Sequence, residues 1–274
     1  MAPVLAWLAA SATKTTVLQA LLLATAAPRL LSTAAPRLFG SLRADADEAP
    51  TLESSPPSKL GASRVSLRES ARKFAACVSR DDVDLAAYTA ATREFMSKIE
   101  TFGDFTQRGV TDARQNLKRI EQLPISSKLR SMRQMLLDQV QRGARRKEGG
   151  PAPSTGAEAL LWSRLGMRFW VETFKEYLRG KGKTKLADAT RSGFGRSLGR
   201  YLDRLSRAAF NYGARAIPEW DVVRRRTQLG CANGVCSEEA LHHELRSFVN
   251  DVEPVLDKMT QLHREMALED HRTP

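Results

Sequence analysis

Apolar residues recur at intervals of three and four from Val65 almost to the C-terminus, and alternating strand-like runs are few. This spacing predicts helices nearly throughout. Leu67 to Val78 forms one segment, and Asp82, a good capping residue, opens a longer one through Leu85, Tyr88, Phe95 and Ile99. Gly103 and Gly109 bracket a turn before a helix that carries Asp112 and ends at Pro124. Ser126 or Ser127 starts the next, through Leu129, Met132, Leu136 and Val140. Gly143 to Gly156 reads as a loop, first rich in Arg and Lys and then in Gly, Pro and Ser. A helix containing Trp162 ends near Gly180, and Lys181 to Lys185 makes a basic turn. One long helix is expected from about Leu186 through Phe194, Leu198, Leu205 and Phe210 to just before Pro218. Trp220, Val222 and Val223 mark a shorter element. Ser237-Glu238-Glu239 is a sound helix start, with two carboxylates at the positive end of the dipole. The last helix carries Leu241, Leu245, Phe248, Val252, Leu256, Met259 and Leu262. With no internal repeat, sustained heptad or βαβ alternation, the expected class is all-α.

The first 44 residues break this pattern. They contain no acid, are rich in Ala, Leu, Ser and Thr, and carry spaced basic residues, as an organellar transit segment does. A secretory signal built on Val17 to Ala27 competes less well, because only Lys14 and the chain terminus supply charge ahead of it. An unprocessed start is a third reading, so a cytosolic or an organellar location (mitochondrion or plastid) is expected. Asp45 to Ser63 is acidic and then rich in Ser and Pro, which reads as a disordered linker. The expected division is residues 1–63 as a targeting-like segment and linker, and residues 64–274 as one domain. No stretch reaches the eighteen or so apolar residues of a membrane span.

Charge narrows the partners. The formal net charge is +12, of which Lys14, Arg29, Arg37 and Arg43 supply +4 before the first acid, Asp45, leaving +8 for the rest. Such a surface favours anionic membranes or nucleic acid. The cysteines, Cys77, Cys231 and Cys236, are odd in number and scattered, which argues against a disulfide-stapled domain and for free thiols in a reducing compartment. Cys231 and Cys236 flank the turn Ala232-Asn233-Gly234-Val235, so a local disulfide or a metal pair is the competing reading. No full metal-ligand set accompanies them, and neither a metal nor a cofactor is expected. The adjacent His242 and His243 point about 100° apart on a helix. The chain has no Gly-x-Ser-x-Gly, no phosphate-binding Gly loop and no His-Glu-x-x-His, so an enzyme is not expected.

Two segments carry the candidate chemistry. In Asp112-Ala113-Arg114-Gln115-Asn116-Leu117-Lys118-Arg119, the residues Asp112, Asn116 and Arg119 fall at i, i+4 and i+7, lining one helix face as acceptor, amide and cation. In Leu160-Leu161-Trp162-Ser163-Arg164-Leu165-Gly166-Met167-Arg168-Phe169, Arg164 and Arg168 are i, i+4 and suit a bidentate grip on phosphate. Trp162 offers an indole face for a sugar ring. The bland alternatives are a solvated, ion-paired helix face for the first segment, and a core Trp with two solvated arginines for the second. Sugar and phosphate headgroups both remain open.

In order and spacing these segments resemble the glycolipid transfer protein superfamily, whose hallmarks are Asp-x-x-x-Asn with a basic residue one turn on, and then Leu-Trp-x-x-x-Gly-x-Arg-Phe. Phe95, Ile99, Phe102 and Val110 precede Asp112 in the family manner; Tyr201, Phe210 and Pro218 match a third block in spacing; Phe248 and Glu253-Pro254-Val255-Leu256 resemble the closing helix. The likeness covers roughly Val65 to Leu268. It implies a two-layer helical sandwich around an apolar pocket, and a monomer that carries one sphingolipid (glycolipid or ceramide 1-phosphate) between membranes. It also implies a headgroup site of Asp112, Asn116, Arg119, Trp162, Arg164 and Arg168, with Tyr201 and the next residue at the acyl amide. There the chain departs from the pattern: the family's His is Leu202, and the aromatic usual two residues further on is Arg204. Leucine donates no hydrogen bond, so a ceramide amide would lose a partner at about 1–3 kcal/mol if left dry. A basic helical adaptor or nucleic-acid-binding protein, using Arg142 to Lys147 and Arg224-Arg225-Arg226, is the second reading, and a lipid sensor without transfer is the third.

Overall fold

Short polar side chains set most of the helix starts. Ser66, Asp84, Ser131, Thr155, Asp203 and Ser237 each stand just before a helix in extended backbone, and each accepts from the N–H three residues on. Each thereby satisfies one of the orphan donors of its helix's first turn. The computed structural model describes residues 65–123, 131–233 and 235–270. The helices among them are α1 (Leu67–Ala75), α2 (Leu85–Glu100), α3 (Gln107–Glu121), α4 (Met132–Gln141), α5 (Gly156–Arg179), α6 (Leu186–Arg196), α7 (Arg204–Gly213), α8 (Trp220–Thr227) and α9 (Glu238–Glu265). The only strands among the described residues are β1 (Cys231–Ala232) and β2 (Val235–Cys236), paired antiparallel. The transit-like segment and linker of residues 1–63, the helix end at Pro124, and the starts at Ser126 or Ser127 lie outside the described residues.

The all-α expectation holds, and the helices form the two-layer sandwich. α5 packs against α3, α6 and α9, and α9 continues along α1. The apolar faces meet in an aromatic interior: the Phe95 and Phe248 rings stack at 4.6 Å, with Phe74 and Phe174 edge-on to Phe248 at 6.3 and 5.4 Å. Trp170 sits edge-on to Phe95 and Phe102. Pro254 interrupts neither the course nor the burial of α9, because Val252, Val255 and Leu256 on either side are fully enclosed. α5 and α6 come so close that a Cβ on Gly193 would lie 2.7 Å from the Thr173 nitrogen and 2.9 Å from the Phe169 carbonyl oxygen. Any larger residue there would push the pair apart.

Four expectations need correction. Asp84, not Asp82, caps α2; Asp82 instead accepts from the Val83 and Arg133 backbone amides and from the Ser131 hydroxyl, joining the loop to α4. The Asp112 helix starts at Gln107 after a 3-10 turn at Asp104–Thr106, so Gly109 lies inside it. The long helix expected from Leu186 is broken into α6, a 3-10 turn at Leu198–Tyr201 and α7. Apolar spacing runs across the break, but Ser197 (φ −122°, ψ −93°) and the extended Leu202 leave the helical region, and Asp203 caps a new start by accepting from Ser206. Finally, Cys231 and Cys236 face each other across β1–β2 and form a disulfide, where free thiols were expected. Asn233 reaches the positive φ of 51° that this tight turn needs. Cys77 is free and buried.

Candidate functional site

The polar residues singled out in the sequence lie on α3, α5 and the 3-10 turn before α7. On α3, Val110, Leu117 and Ile120 face the core. Asp112 and Asn116 are half-buried at the margin of that face, and Arg119 is exposed. Asp112 keeps 47% of its side chain exposed and has the Arg108 guanidinium at 3.5 Å, one turn back. α3 packs along α5, the helix that carries Trp162. Trp162 is half-buried, edge-on to Tyr201 with ring centroids 6.3 Å apart, and Arg200 lies over the other aromatic of the pair, 5.1 Å from the Tyr201 centroid. Leu202 follows, half-buried and extended.

The two arginines of α5 do not join this group. Arg164 is 4% exposed and turned inward, where both guanidinium Nη2 bonds go to Glu269, at 2.8 Å to each carboxylate oxygen, and Nη1 donates to Thr260. Arg168 donates to Glu253 at 3.1 Å and to Asp257. Both cations are therefore neutralised by α9 and the segment after it. Arg164 and Arg168 were expected to grip a headgroup together; in this structure they share a helix stripe that faces carboxylates of the chain itself. Trp162, Tyr201 and Leu202 are brought together; Asp112, Asn116 and Arg119 hold the neighbouring helix.

Sequence reasoning missed these carboxylates. Glu253 and Asp257 stand at i, i+4 on α9, a legible pair, yet nothing in one sequence says which helix faces it. Glu269 lies beyond the last helix, in a segment with no periodic signal. Arg108, by contrast, stands at i−4 from Asp112 and was accessible to the helix-pair rule.

Beneath Arg164 lies His263, fully buried, with Nδ1 donating to the Met259 carbonyl at 2.7 Å and Nε2 without a protein partner. Burial, and then the Arg164 charge, push its pKa down to about 4. The unfolded chain would take up this proton near pH 6.5, and the folded chain only near 4. The contribution of neutral His263 is thus complete above 6.5 and is lost as pH falls from 6.5 to 4, to a total of about 3 kcal/mol. Denaturant titrations at pH 7.5 and 4.5 should show that loss in the parent and not in His263→Gln. An equal loss in both would assign the acid sensitivity elsewhere.

Two further features bear on partners. Arg224, part of the basic triplet offered as a nucleic-acid contact, is buried and pairs with Asp221 and Glu238. Arg145, Arg146 and Lys147 line a polar cleft of about 420 Å³ with Gly149 and Ala267. No helix among the described residues is long and apolar enough to cross a membrane, and no cluster among them could hold a metal ion.

The family model for glycolipid transfer proteins matches residues 83–227, more than half of the chain, from Asp112 on α3 to Leu202 after the 3-10 turn but not the partners on and after α9. The chain belongs to the glycolipid transfer protein family. Solved structures agree in fold. Human ceramide-1-phosphate transfer protein, in complex with 12:0 ceramide-1-phosphate, aligns with a TM-score of 0.65 at 20% identity, over 76% of this chain and 99% of that one. The apo form of the mouse ceramide-1-phosphate transfer protein gives 0.64 at 18%, over 77% and 100%. FAPP2, described as selecting simple glycosphingolipids with this fold, gives 0.62 at 18%, over 73% and 95%. No curated protein matches by sequence. Members of this family are lipid transfer proteins.

Proposed function

We propose that this protein carries one sphingolipid at a time between membranes, as a monomer and without altering the lipid covalently. The observation that carries the reading is the half-exposed acceptor–amide pair, Asp112 and Asn116, on the helix packed against the one that bears Trp162. Asp112 would accept from headgroup hydroxyls or the amide N–H, Asn116 would do both, and Arg119 would stand at the rim. The indole of Trp162, backed by Tyr201, offers an apolar face to a sugar ring. The neutralised Arg164 and Arg168 leave no paired guanidinium clamp for a phosphate, so we favour a neutral hexose over a phosphomonoester. The lipid chains would enter the apolar layer by displacing helices, since aromatic side chains fill it here.

For membrane docking, α7 is the best placed element. Leu205 and Tyr212 are 54% and 59% exposed, among Arg204, Arg207 and Arg215, with Arg215 over the Tyr212 ring. An apolar stripe flanked by arginines fits the interface of an anionic bilayer. The basic cleft at Arg145–Lys147 adds charge of the same sign.

The test is transfer between vesicles. Glucosylceramide should move faster than ceramide 1-phosphate, and raising salt should slow both by screening the docking charges. Leu202→His should then raise transfer of glucosylceramide over a glucosyl diacylglycerol by about tenfold, because only the ceramide presents an amide to the new donor. Parent protein that moves neither sphingolipid would sink the reading; unchanged selectivity in Leu202→His would sink the placement of residue 202 at the amide.

A further inference from the structure

The segment that follows α9 turns back on the helix bearing Trp162. Ala267 takes φ +52°, the Leu268 amide donates to the His263 carbonyl at 2.8 Å, and Leu268 is fully buried. Gly150, in the loop before α5, donates its N–H to the Ala267 carbonyl at 3.2 Å. This turn delivers Glu269, 6% exposed, to the interior, where its two oxygens face the Arg164 guanidinium. One of those oxygens also accepts from the Tyr201 hydroxyl at 3.3 Å. Tyr201 is the ring against Trp162, and Leu202 is its neighbour in the chain. A single carboxylate thus links the last described segment, α5 and the 3-10 turn.

We propose that Glu269 is a positioning residue of the headgroup site: by tying Tyr201 to Arg164 it sets the aromatic wall of Trp162 and Tyr201, and it makes headgroup recognition depend on a docked 268–270 segment. The inference rests on the headgroup site proposed above. It assigns Glu269 no contact with lipid. A carboxylate that only neutralised Arg164 would need no third partner. Here the third partner is the residue that backs the proposed recognition surface. The coupling runs both ways: a headgroup pressing on Trp162 would favour the docked segment, and undocking would loosen the wall.

Removing Glu269 alone would leave a buried guanidinium uncompensated, so two milder variants carry the test. Tyr201→Phe cuts the tie and keeps the ion pair. Arg164→Met with Glu269→Leu removes both charges together and leaves Tyr201 in place. Hydrogen exchange on the lipid-free protein should rise about tenfold or more in residues 198–202 in both variants, while helicity stays at the parent level. Affinity for glucosylceramide should fall about tenfold, and affinity for ceramide, which has no sugar, less than twofold. Folded variants with parent exchange at 198–202, or with equal losses for ceramide and glucosylceramide, would overturn the proposal and reduce Glu269 to a counter-charge. If the parent binds no glucosylceramide, the function proposed above fails, while the exchange measurement still decides the tie.

Discussion

Asp112→Val should lose at least about tenfold in sphingolipid affinity for each headgroup bond it removes, up to about a hundredfold, while the fold is barely touched. The asymmetry follows from where the side chain sits. Nearly half of it is exposed, and the Arg108 partner at 3.5 Å is itself at the surface. Exposed ion pairs of this kind contribute about 0–1 kcal/mol, so the melting temperature should stay within a few degrees. A carboxylate receiving hydroxyl or amide donors from a bound headgroup, with water excluded, is worth about 1.5–3 kcal/mol per bond. Titration of parent and variant with glucosylceramide, alongside thermal unfolding, separates the two. A variant that binds as the parent does would remove Asp112 from the site, and one that unfolds would mean its role is structural.

The largest stability effect belongs to Arg164. Its guanidinium and the Glu269 carboxylate are both nearly enclosed, with side chains 5% and 7% exposed. Arg164→Ala strands the carboxylate beside Tyr201 and His263, at about 3–5 kcal/mol. Replacing both partners at once, Arg164→Met with Glu269→Leu, should recover most of that, because desolvating the pair offsets much of its attraction. Urea unfolding of the three proteins is the measurement. Additive losses in the double variant would mean that the two side chains act independently. As a fraction of the stability of a domain of this size, the single loss is large.

How much of this was legible depended on the range of the interaction concerned. Helix class and the family resemblance rest on spacings within one or two turns, and both are found; the Asp112 and Trp162 segments rest on the same spacings and fall on helices packed together. The break at Ser197 and Leu202 was hidden because the apolar period continues across it, and only the local competition of the Asp203 cap with helix continuation decides the outcome. The same failure displaced the α2 cap from Asp84 to Asp82, two residues that differ in what they face rather than in type. The fate of Arg164 was not legible at all: an arginine at i−4 from another reads as a solvated pair or a phosphate clamp, and only the return of the chain at Ala267 brings in its carboxylate. The odd number and scatter of the cysteines hide the Cys231–Cys236 disulfide, since residue counts carry no information on whether a short turn closes into a hairpin.

Mass spectrometry of lipid extracted from the protein, purified from a eukaryotic host, tests the central claim most directly. The parent should release ceramide-based lipid bearing a hexose at up to one molecule per chain, and Asp112→Val should release far less. A parent extract holding no more sphingolipid than the Asp112→Val extract would contradict the account.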